Sequence, residues 1–180
     1  GHDGQVGLFC VGDGETYNVP VEMAETRYGI RVDEHSLHTD GAGAGEYRGG
    51  SGAVRVYRSM NENQTFTASF GRNKWPVWGA AGGKDGSVNY FQFIDADGTV
   101  SEPMGIAARR VMNTNDVVRM VTATGGGYGN PFKRPAEKVA MDVKNEYITV
   151  EQAKADYGVL VDPETFKVLG LTEERQKAEK

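Results

Sequence analysis

The sequence has few of the residues that build disulfides and metal sites. Its single cysteine, Cys10, cannot form an internal disulfide, which suits a reducing cytosol, and we expect it to be a small buried apolar residue. The three histidines are His2, His35 and His38. His35 and His38 lie in a stretch typical of a strand, where their odd spacing places them on opposite faces. Two neighbouring carboxylates leave a metal site open, but the pattern favours a solvated strand end.

The chain also lacks a basic cluster and a long apolar run. Its 20 Lys and Arg residues against 25 Asp and Glu residues give a net charge of −5, which argues against a nucleic-acid-binding protein. No apolar run approaches the ~20 residues of a membrane-spanning helix. The start has neither an initiator Met nor a signal-peptide pattern, and is typical of an expression remnant or a cut within a longer chain. We therefore expect a cytoplasmic protein that binds neither nucleic acid nor membrane.

Glycine, by contrast, is abundant. The chain has 25 glycines in 180 residues, about twice the usual ~7 %. They show no triplet repeat, which excludes collagen. They concentrate in residues 41–52, 79–86 and 125–129. We interpret these clusters as backbone positions that need a positive φ or a close approach of two chain segments.

Short apolar runs separated by turn residues indicate a mainly β fold for residues 1–125. Apolar residues alternate from Tyr28 to Val32 and from Phe66 to Phe70, while residues 90–94 and 117–121 are nearly continuous apolar runs. Turn residues separate these runs at short spacing. This pattern predicts an antiparallel sandwich or barrel-like sheets with glycine-rich loops.

Residues 126–180 predict a short helical C-terminal appendix. Pro135 is placed to open a helix whose apolar residues continue to Val143. Thr149 and Gln152 predict a capping box, and Gly158 predicts the end of that second helix. We expect an appendix too short for a core of its own, which packs on the sheet within one compact unit, and a charged tail from residue 172 that frays.

The common ligand-binding motifs are absent. In the glycine run 41–45, Arg48 stands where a dinucleotide-binding loop needs glycine, and around Lys84 both Asp85 and Trp78 break the phosphate-loop pattern. Residues 95–98 lack the distal acidic ligands of a calcium loop and predict a hairpin turn. No serine or cysteine has a nucleophile motif.

One pair of acidic residues could carry acid–base chemistry. Glu22 and Glu25 are three residues apart, a spacing that would bring them together on a helix, and Arg27 could offset their charge. A solvated or salt-bridged turn is the alternative interpretation.

Five segments in order resemble the hydantoinase B/oxoprolinase family. The family's motifs are similar to residues 18–28 (NVPVEMAETRY), 39–52 (TDGAGAGEYRGGSG), 72–86 (RNKWPVWGAAGGKDG) and 124–131 (TGGGYGNP), and then to Asp142-Val143 with residues 153–159 (AKADYGV). Four residues depart from the family pattern: Gly41 and Ala42, Thr124, and Asn130 in place of the usual Asp.

The resemblance implies that this chain corresponds to the C-terminal part of a longer B-type subunit. Such subunits work with an A-type, ATP-binding partner in a hetero-oligomer that opens a hydantoin or 5-oxoproline ring after the partner phosphorylates it. The resemblance implies ATP with Mg²⁺ on the partner and a divalent metal in the N-terminal part of the B-type subunit. This fragment would then bind no cofactor and be inactive alone.

Two other functions stay open. Ketone carboxylases of the acetone or acetophenone type share the architecture, and the domain itself could be a non-catalytic scaffold that braces the subunit or docks the partner. The candidate catalytic residues are Glu22 and Glu25. The candidate residues that organise the glycine loops, or form a structural salt-bridge network, are Asp40, Arg48, Gly41, Gly43, Gly45, Gly126, Gly127 and Tyr128.

Overall fold

A four-stranded antiparallel sheet forms the centre of the N-terminal part. The computed structural model describes residues 1–5 and 19–178, so Cys10 lies outside the described residues. The sheet has the strand order β1 (Ile30–His38), β2 (Gly52–Ser59), β6 (Val117–Val121) and β4 (Tyr90–Ile94). In its register Val56 lies opposite Arg119, and Arg55 lies opposite Met120. The two residues of each pair share a face of the sheet, and the two pairs lie on opposite faces.

A second pair of strands covers one face of this sheet. Strands β3 (Gln64–Ser69) and β5 (Ile106–Met112) form a separate antiparallel pair. Phe66 of β3 packs edge-on against Phe91 and Phe93 of β4, with ring centroids 5.6 and 5.4 Å apart. Met112 and Val118 complete this buried cluster. The mainly β, antiparallel fold predicted from the sequence is confirmed, and β4 and β6 have the bounds of the two apolar runs.

The first helix was not predicted. Helix α1 (Val21–Tyr28) begins after Pro20 and ends at Gly29, whose φ is 61°. The sequence instead assigned Tyr28 to the strand that follows. Of the helix residues only Ala24 is buried, so α1 has no apolar stripe to announce it. The turn prediction at residues 95–98 is confirmed, because the Gly98 amide donates to the Asp95 carbonyl at 2.8 Å.

The C-terminal appendix has an apolar cluster of its own. It contains a 3₁₀ turn (Pro131–Lys133), α2 (Ala136–Lys144), α3 (Val150–Tyr157), the strand pair β7 (Val159–Val161) and β8 (Val168–Leu171), and α4 (Glu173–Ala178). The predicted capping box of α3 is confirmed, because Gln152 N donates to Thr149 Oγ1 and Thr149 N donates to Gln152 Oε1. Gly158 ends that helix with a φ of 63°.

Contrary to the expectation, the appendix is long enough to form a buried cluster of its own. Its buried residues, among them Val139, Val143, Ala153 and Val159, form one cluster around which the elements of the appendix pack. The buried member from outside the appendix is Ala44, in the first glycine-rich loop. Two helices and a strand pair together bury enough apolar surface to make this cluster.

The expected fraying of the tail is also corrected. Residues 173–178 form α4, and Arg175 on this helix is buried. The Arg175 guanidinium donates to the carbonyl of Tyr157 at 3.0 Å and to the carbonyl of Arg134 at 2.8 Å. Long arginine side chains can cover apolar surface while they bond backbone oxygens, which charge counting along the sequence does not reveal. In the described part of the chain, no helix has the length and apolar character needed to cross a membrane.

Candidate functional site

The three glycine-rich loops meet in space and bond to one another through their backbones. The Gly43 amide donates to the Gly125 carbonyl at 2.9 Å, the Lys84 amide to the Ala44 carbonyl at 2.7 Å, and the Gly127 amide to the Lys84 carbonyl at 2.9 Å. Each loop is therefore bonded to both of the others. We call this assembly the glycine layer and define it as residues 41–52, 79–86 and 124–129.

Most glycines of the layer are needed because another backbone occupies the place of a side chain. A Cβ atom on Gly45 would lie 2.6 Å from Tyr128 N, and one on Gly126 would lie 2.7 Å from the carbonyl carbon of Trp78. Gly43 and Gly127 are enclosed in the same way, by backbone atoms of Lys84 and Ala44 among others. The close chain approach expected from the glycine clusters is thus present at these four positions.

Gly41 is a glycine for a different reason. Its φ is 78°, in the left-handed region that favours glycine, while the nearest atom to a Cβ there would be the Ser87 Cβ at 3.4 Å. The sequence placed Gly41 with the other layer glycines. In the structure the reason for glycine at this position is the positive φ, because a Cβ there would make only ordinary van der Waals contact.

Many backbone amides of the layer are bonded within it or to neighbouring segments. Beyond the three bonds above, the amides of Gly49, Gly83, Gly86 and Gly129 also donate to backbone carbonyls, at 2.8–2.9 Å. A phosphate-binding loop needs amides that point at the ligand. The amides that are bonded to carbonyls in this way stabilise the chain crossing and are not available to an anion.

Thr124 replaces a glycine of the family pattern and connects two loops through its hydroxyl. Thr124 Oγ1 donates to the Gly41 carbonyl at 2.7 Å and accepts from Ser87 N at 2.9 Å. In return Ser87 Oγ accepts from Thr124 N at 3.0 Å. Thr124 is buried, and each of these bonds joins segments that are distant in the sequence. The departure from the family pattern therefore adds side-chain bonds to the layer.

Tyr128 lies on the outer side of the layer. Its amide and carbonyl pair with those of Tyr47, each at 3.0 Å, and the two rings lie 6.3 Å apart. Its ring is exposed, in contrast to the glycines before it. Tyr128 thus contributes backbone pairing to the layer and a free aromatic surface outside it.

A buried ion network connects the layer to the appendix, and Arg134 is its centre. The Arg134 side chain is buried, and its guanidinium bonds both carboxylate oxygens of Asp3, at 2.6 and 2.9 Å. On its other side it contacts Asp142 Oδ2, from Nε at 3.0 Å and from a terminal nitrogen at 2.7 Å. A third bond reaches the Glu46 carbonyl at 3.0 Å. Arg134 thereby joins the N-terminal segment, the first glycine-rich loop and α2.

Arg48 reaches the same network from the glycine layer. Its backbone amide donates to Asp3 Oδ1 at 2.9 Å, and its guanidinium donates to the Gly49 carbonyl at 2.8 Å. The guanidinium also lies 4.3 Å from the centroid of the Tyr147 ring, and its Nε is 3.7 Å from Asp142 Oδ1. The two arginines and two aspartates balance in charge, which a buried ionic cluster requires.

Burial and ion pairing have opposite effects on the pKa of Asp3 and on the pKa of Asp142. Burial raises the pKa of Asp142, against the lowering effect of Arg134 and Arg48. Burial would also raise the pKa of Asp3, but the hydrogen bonds from Arg134 and from the Arg48 amide outweigh it and lower that pKa. Burial likewise raises the pKa of Tyr157 to about 12, and the Tyr157 hydroxyl has no hydrogen-bond partner in the described structure.

Glu22 and Glu25 lie on α1, and the helix places them three residues apart. Both side chains are exposed. Glu25 Oε1 accepts a hydrogen bond from Val32 N at 2.9 Å, which ties α1 to β1. The two glutamates do not take part in the ion network among the described residues. Their catalytic role stays a prediction.

Asp40 and the histidines lie apart from the ion network as well. Asp40 is exposed and accepts a hydrogen bond from Gln152 Nε2 at 3.2 Å. His38 Nδ1 lies 2.9 Å from the Thr122 carbonyl, and His35 is on the other face of β1 because their spacing is odd. Within residues 1–5 and 19–178, no group of three His, Cys, Asp or Glu side chains could hold a metal ion.

Sequence reasoning missed Asp3, Arg134 and Ser87. Asp3 stands in an unremarkable start, and Arg134 follows a glycine run in a turn. The available signal was Asp142, which belongs to a recognisable motif and lies on the apolar face of α2 beside Val139 and Val143. A carboxylate on a buried helix face requires a cation, and that requirement could have pointed to an arginine.

A model of the Hydantoinase B/oxoprolinase family matches residues 1–131. Among relatives, the chain is 32 % identical over 148 residues to the B-type subunit of a putative D-/L-hydantoinase from Pseudomonas sp. (strain NS671), covering 81 % of this chain and 25 % of that protein. It is 30 % identical over 158 residues to the beta subunit of caprolactamase from Pseudomonas jessenii, covering 79 % of this chain and 25 % of that protein. The chain thus spans about a quarter of the length of these relatives.

Solved structures share the fold. The nucleotide-free structure of acetone carboxylase superposes with a TM-score of 0.75 at 17 % identity, over 98 % of this chain and 28 % of that one, which shows the fold alone. The ATP-dependent caprolactamase of Pseudomonas jessenii superposes with a TM-score of 0.69 at 29 % identity, over 88 % of this chain and 27 % of that one. With the glycine layer at the positions of its motifs, the chain belongs to the Hydantoinase B/oxoprolinase family.

Proposed function

We propose that this chain is the C-terminal part of the B-type subunit of an ATP-dependent cyclic-amide hydrolase in the cytoplasm. Its relatives include one component of a hydantoinase and one of a caprolactamase, both matched at 30 % identity or more over about four fifths of this chain. Both names denote subunits, which supports a hetero-oligomer with an A-type, ATP-binding partner. ATP with Mg²⁺ belongs to the partner in this proposal, and the metal belongs to a part of the subunit outside this chain.

The proposed reaction consumes one ATP and two water molecules for each ring. The partner transfers the γ-phosphoryl group of ATP to the amide oxygen and releases ADP. Water adds to the activated carbon, the ring C–N bond breaks, and the amine leaves with a proton. A second water then releases inorganic phosphate from the acyl phosphate, which leaves a carboxylate. Phosphorylation makes the amide carbon electrophilic enough for this attack.

Within that enzyme we propose that this domain is a scaffold. The single observation that carries this role is the glycine layer, whose loops are bonded to one another through backbone amides and carbonyls and most of whose glycines leave no space for side chains. The ion network supports the same role because its charges balance internally. A scaffold of this kind holds the β-rich part and the appendix in a fixed position. It supports an active site that is formed by other parts of the enzyme.

The carboxylase alternative rests on the fold shared with acetone carboxylase. In that reaction bicarbonate and an enolate replace water and the cyclic amide. The hydrolase is favoured because the caprolactamase and hydantoinase relatives are about 30 % identical in sequence, whereas acetone carboxylase is 17 % identical.

The test uses the complete subunit assembled with its A-type partner. The complex receives ATP with hydantoin, 5-oxoproline or caprolactam, and ADP and the ring-opened product are quantified together. We expect ring opening that depends on ATP, with one ADP for each ring. Bicarbonate-dependent consumption of a ketone without ring opening would overturn the hydrolase. Turnover by the 180-residue chain and the partner alone would overturn the scaffold role.

Glutamine substitutions in α1 test the candidate acid–base pair. In the assembled complex we expect Glu22→Gln and Glu25→Gln each to keep kcat within about twofold of the unsubstituted enzyme. Glutamine retains an acceptor oxygen, so Glu25→Gln also preserves the bond to Val32 N. The measurement is kcat and KM for ring opening as a function of pH.

A general acid or base contributes about 10²- to 10⁴-fold to a rate. A loss of that size in kcat, together with loss of one limb of the pH profile, would assign the substituted glutamate a catalytic role and contradict the scaffold. Glu137→Gln, on the exposed side of α2, is the matched control for a charge change away from α1.

A further inference from the structure

A pocket of about 620 Å³ opens between α1, the central sheet and β3. Its volume lies within the range of about 300–1,000 Å³ that is usual for small-molecule sites. Apolar side chains form most of its wall, among them Ala24, Ile30, Phe66, Met112 and Val118. It lies on the face of the sheet that carries β3 and β5, apart from the glycine layer and from the ion network.

Arg55 is the unusual member of this wall. Its Nε is buried and has no hydrogen-bond partner in the described structure. Its guanidinium lies 5.2 Å from the centroid of the Tyr57 ring, two residues along the same face of β2. A buried guanidinium nitrogen without a partner is costly, and this cost is removed when an acceptor enters the pocket.

Three other polar side chains of the pocket, those of Ser59, Gln64 and Arg58, are bonded within the protein. Ser59 Oγ donates to Gln64 Oε1 at 2.6 Å, and Gln64 Nε2 donates to the Tyr28 carbonyl at 2.9 Å. The second arginine, Arg58, is ion-paired with Asp33 at 2.6 Å. Among the described residues, no Asp or Glu lines the pocket. The pocket therefore presents one unpaired cationic group beside an apolar wall.

We propose that this pocket binds a small organic carboxylate with an apolar body. The carboxylate accepts from Arg55, whose planar guanidinium suits carboxylate geometry. The apolar body, an aromatic ring or a short alkyl chain, packs against Phe66, Met112 and Val118. The site is separate from the proposed ring-opening reaction and does not depend on it.

The test is a titration of the 180-residue chain with 3-phenylpropionate, followed by ¹H–¹⁵N NMR. We expect saturable binding with a Kd of about 1 mM or tighter and a shift of the Arg55 Nε–H signal, because this group gains its acceptor. The neutral analogue 3-phenylpropan-1-ol reports the apolar contribution alone, and we expect it to bind at least tenfold more weakly.

Two arginine variants distinguish the site from general charge attraction. Arg55→Met keeps an apolar stem and removes the guanidinium, and we expect it to weaken binding of 3-phenylpropionate at least tenfold. Arg119→Met is the matched control, because Arg119 lies on the opposite face of the same sheet and does not line the pocket. We expect it to bind within twofold of the unsubstituted chain.

Ala24→Leu provides a second route to the same answer if Arg55→Met does not fold. Ala24 is buried at the pocket wall on α1, so leucine fills space that the ligand needs, and we expect binding to be lost. Dispersed NMR spectra establish that each variant is folded. Absence of binding to the unsubstituted chain, equal affinity for acid and alcohol, or unchanged binding in Ala24→Leu would each overturn the proposal.

Discussion

Gly43→Ala is expected to destabilise the chain by about 3 kcal/mol or more, which approaches complete loss of the fold. The added methyl group would overlap the Gly127 amide nitrogen and the Lys84 carbonyl oxygen. Both atoms are backbone and are bonded to each other across the layer, so neither can yield without breaking a loop-to-loop bond. Urea unfolding followed by circular dichroism measures the free energy of unfolding.

Gly71→Ala is the matched control for this prediction. No atom lies within 4 Å of a Cβ placed there, and Gly71 does not have a positive φ. Alanine at such a site reduces the freedom of the unfolded chain, so stability should stay equal or rise by up to about 1 kcal/mol. Equal unfolding midpoints for the two variants would show that backbone enclosure does not explain the glycines.

Arg134→Met is expected to lower the free energy of unfolding by about 3–5 kcal/mol, the usual cost of removing one partner of a buried ion pair. Methionine fills much of the space but leaves Asp142 buried without its shortest contact and leaves Asp3 without its two bonds. The appendix should loosen from the glycine layer first. Hydrogen exchange of the α2 amides, measured beside urea unfolding, would detect this.

The cost of Arg134→Met should depend on pH. In the unsubstituted chain Asp3 has a lowered pKa, so its stabilising contribution is complete above the unfolded pKa and is lost as the pH falls through its folded pKa. Without Arg134 the pKa of Asp3 and the pKa of Asp142 both rise, because each carboxyl group loses a bond that lowers its pKa while its burial remains. Protonation then favours the folded variant. The difference in free energy of unfolding between Arg134→Met and the unsubstituted chain should therefore become smaller as the pH falls from about 7 to about 4.

An exposed ion pair provides the comparison. Arg31 contacts Asp33 at 2.6 Å, but its own side chain is half exposed. Arg31→Met should therefore leave the unfolding midpoint nearly unchanged at neutral pH. Equal losses of unfolding free energy in Arg31→Met and Arg134→Met would contradict this prediction, and so would a loss in Arg134→Met that did not change with pH. Either result would show that the ion network does not hold the appendix to the glycine layer.

The sequence predicted those strands and helices that are determined by residues within their own segment. The bounds of β4 and β6 follow from their apolar runs, and the Thr149–Gln152 capping box and Gly158 fix both ends of α3. Helix α1 was not predicted because Ala24 is its only buried residue among those described, so it has no apolar stripe. It is also followed directly by the alternating pattern of β1. Helix α4 escaped because its anchor, Arg175, bonds carbonyls far away in the sequence.

The candidate site was predictable in composition and order but not in its contacts. The glycine clusters indicated close chain approach, yet which loop meets which depends on the path of the whole chain. Asp142 was recognised as part of a motif, whereas Asp3, which bonds the same arginine from the other side, lies 131 residues before Arg134. Ionic partners at that separation leave no periodic signal.

The glycine layer also affects the order in which the chain folds. It joins three segments that are distant in sequence, and the bonds between its loops run largely from backbone to backbone, so its closure must follow the sheets that bring the loops near. The layer then belongs to the native side of the folding barrier. A defect such as Gly43→Ala should accelerate unfolding in stopped-flow experiments and leave the refolding rate nearly unchanged. The glycine-rich segments would thus affect the lifetime of the folded state more than the rate at which it forms.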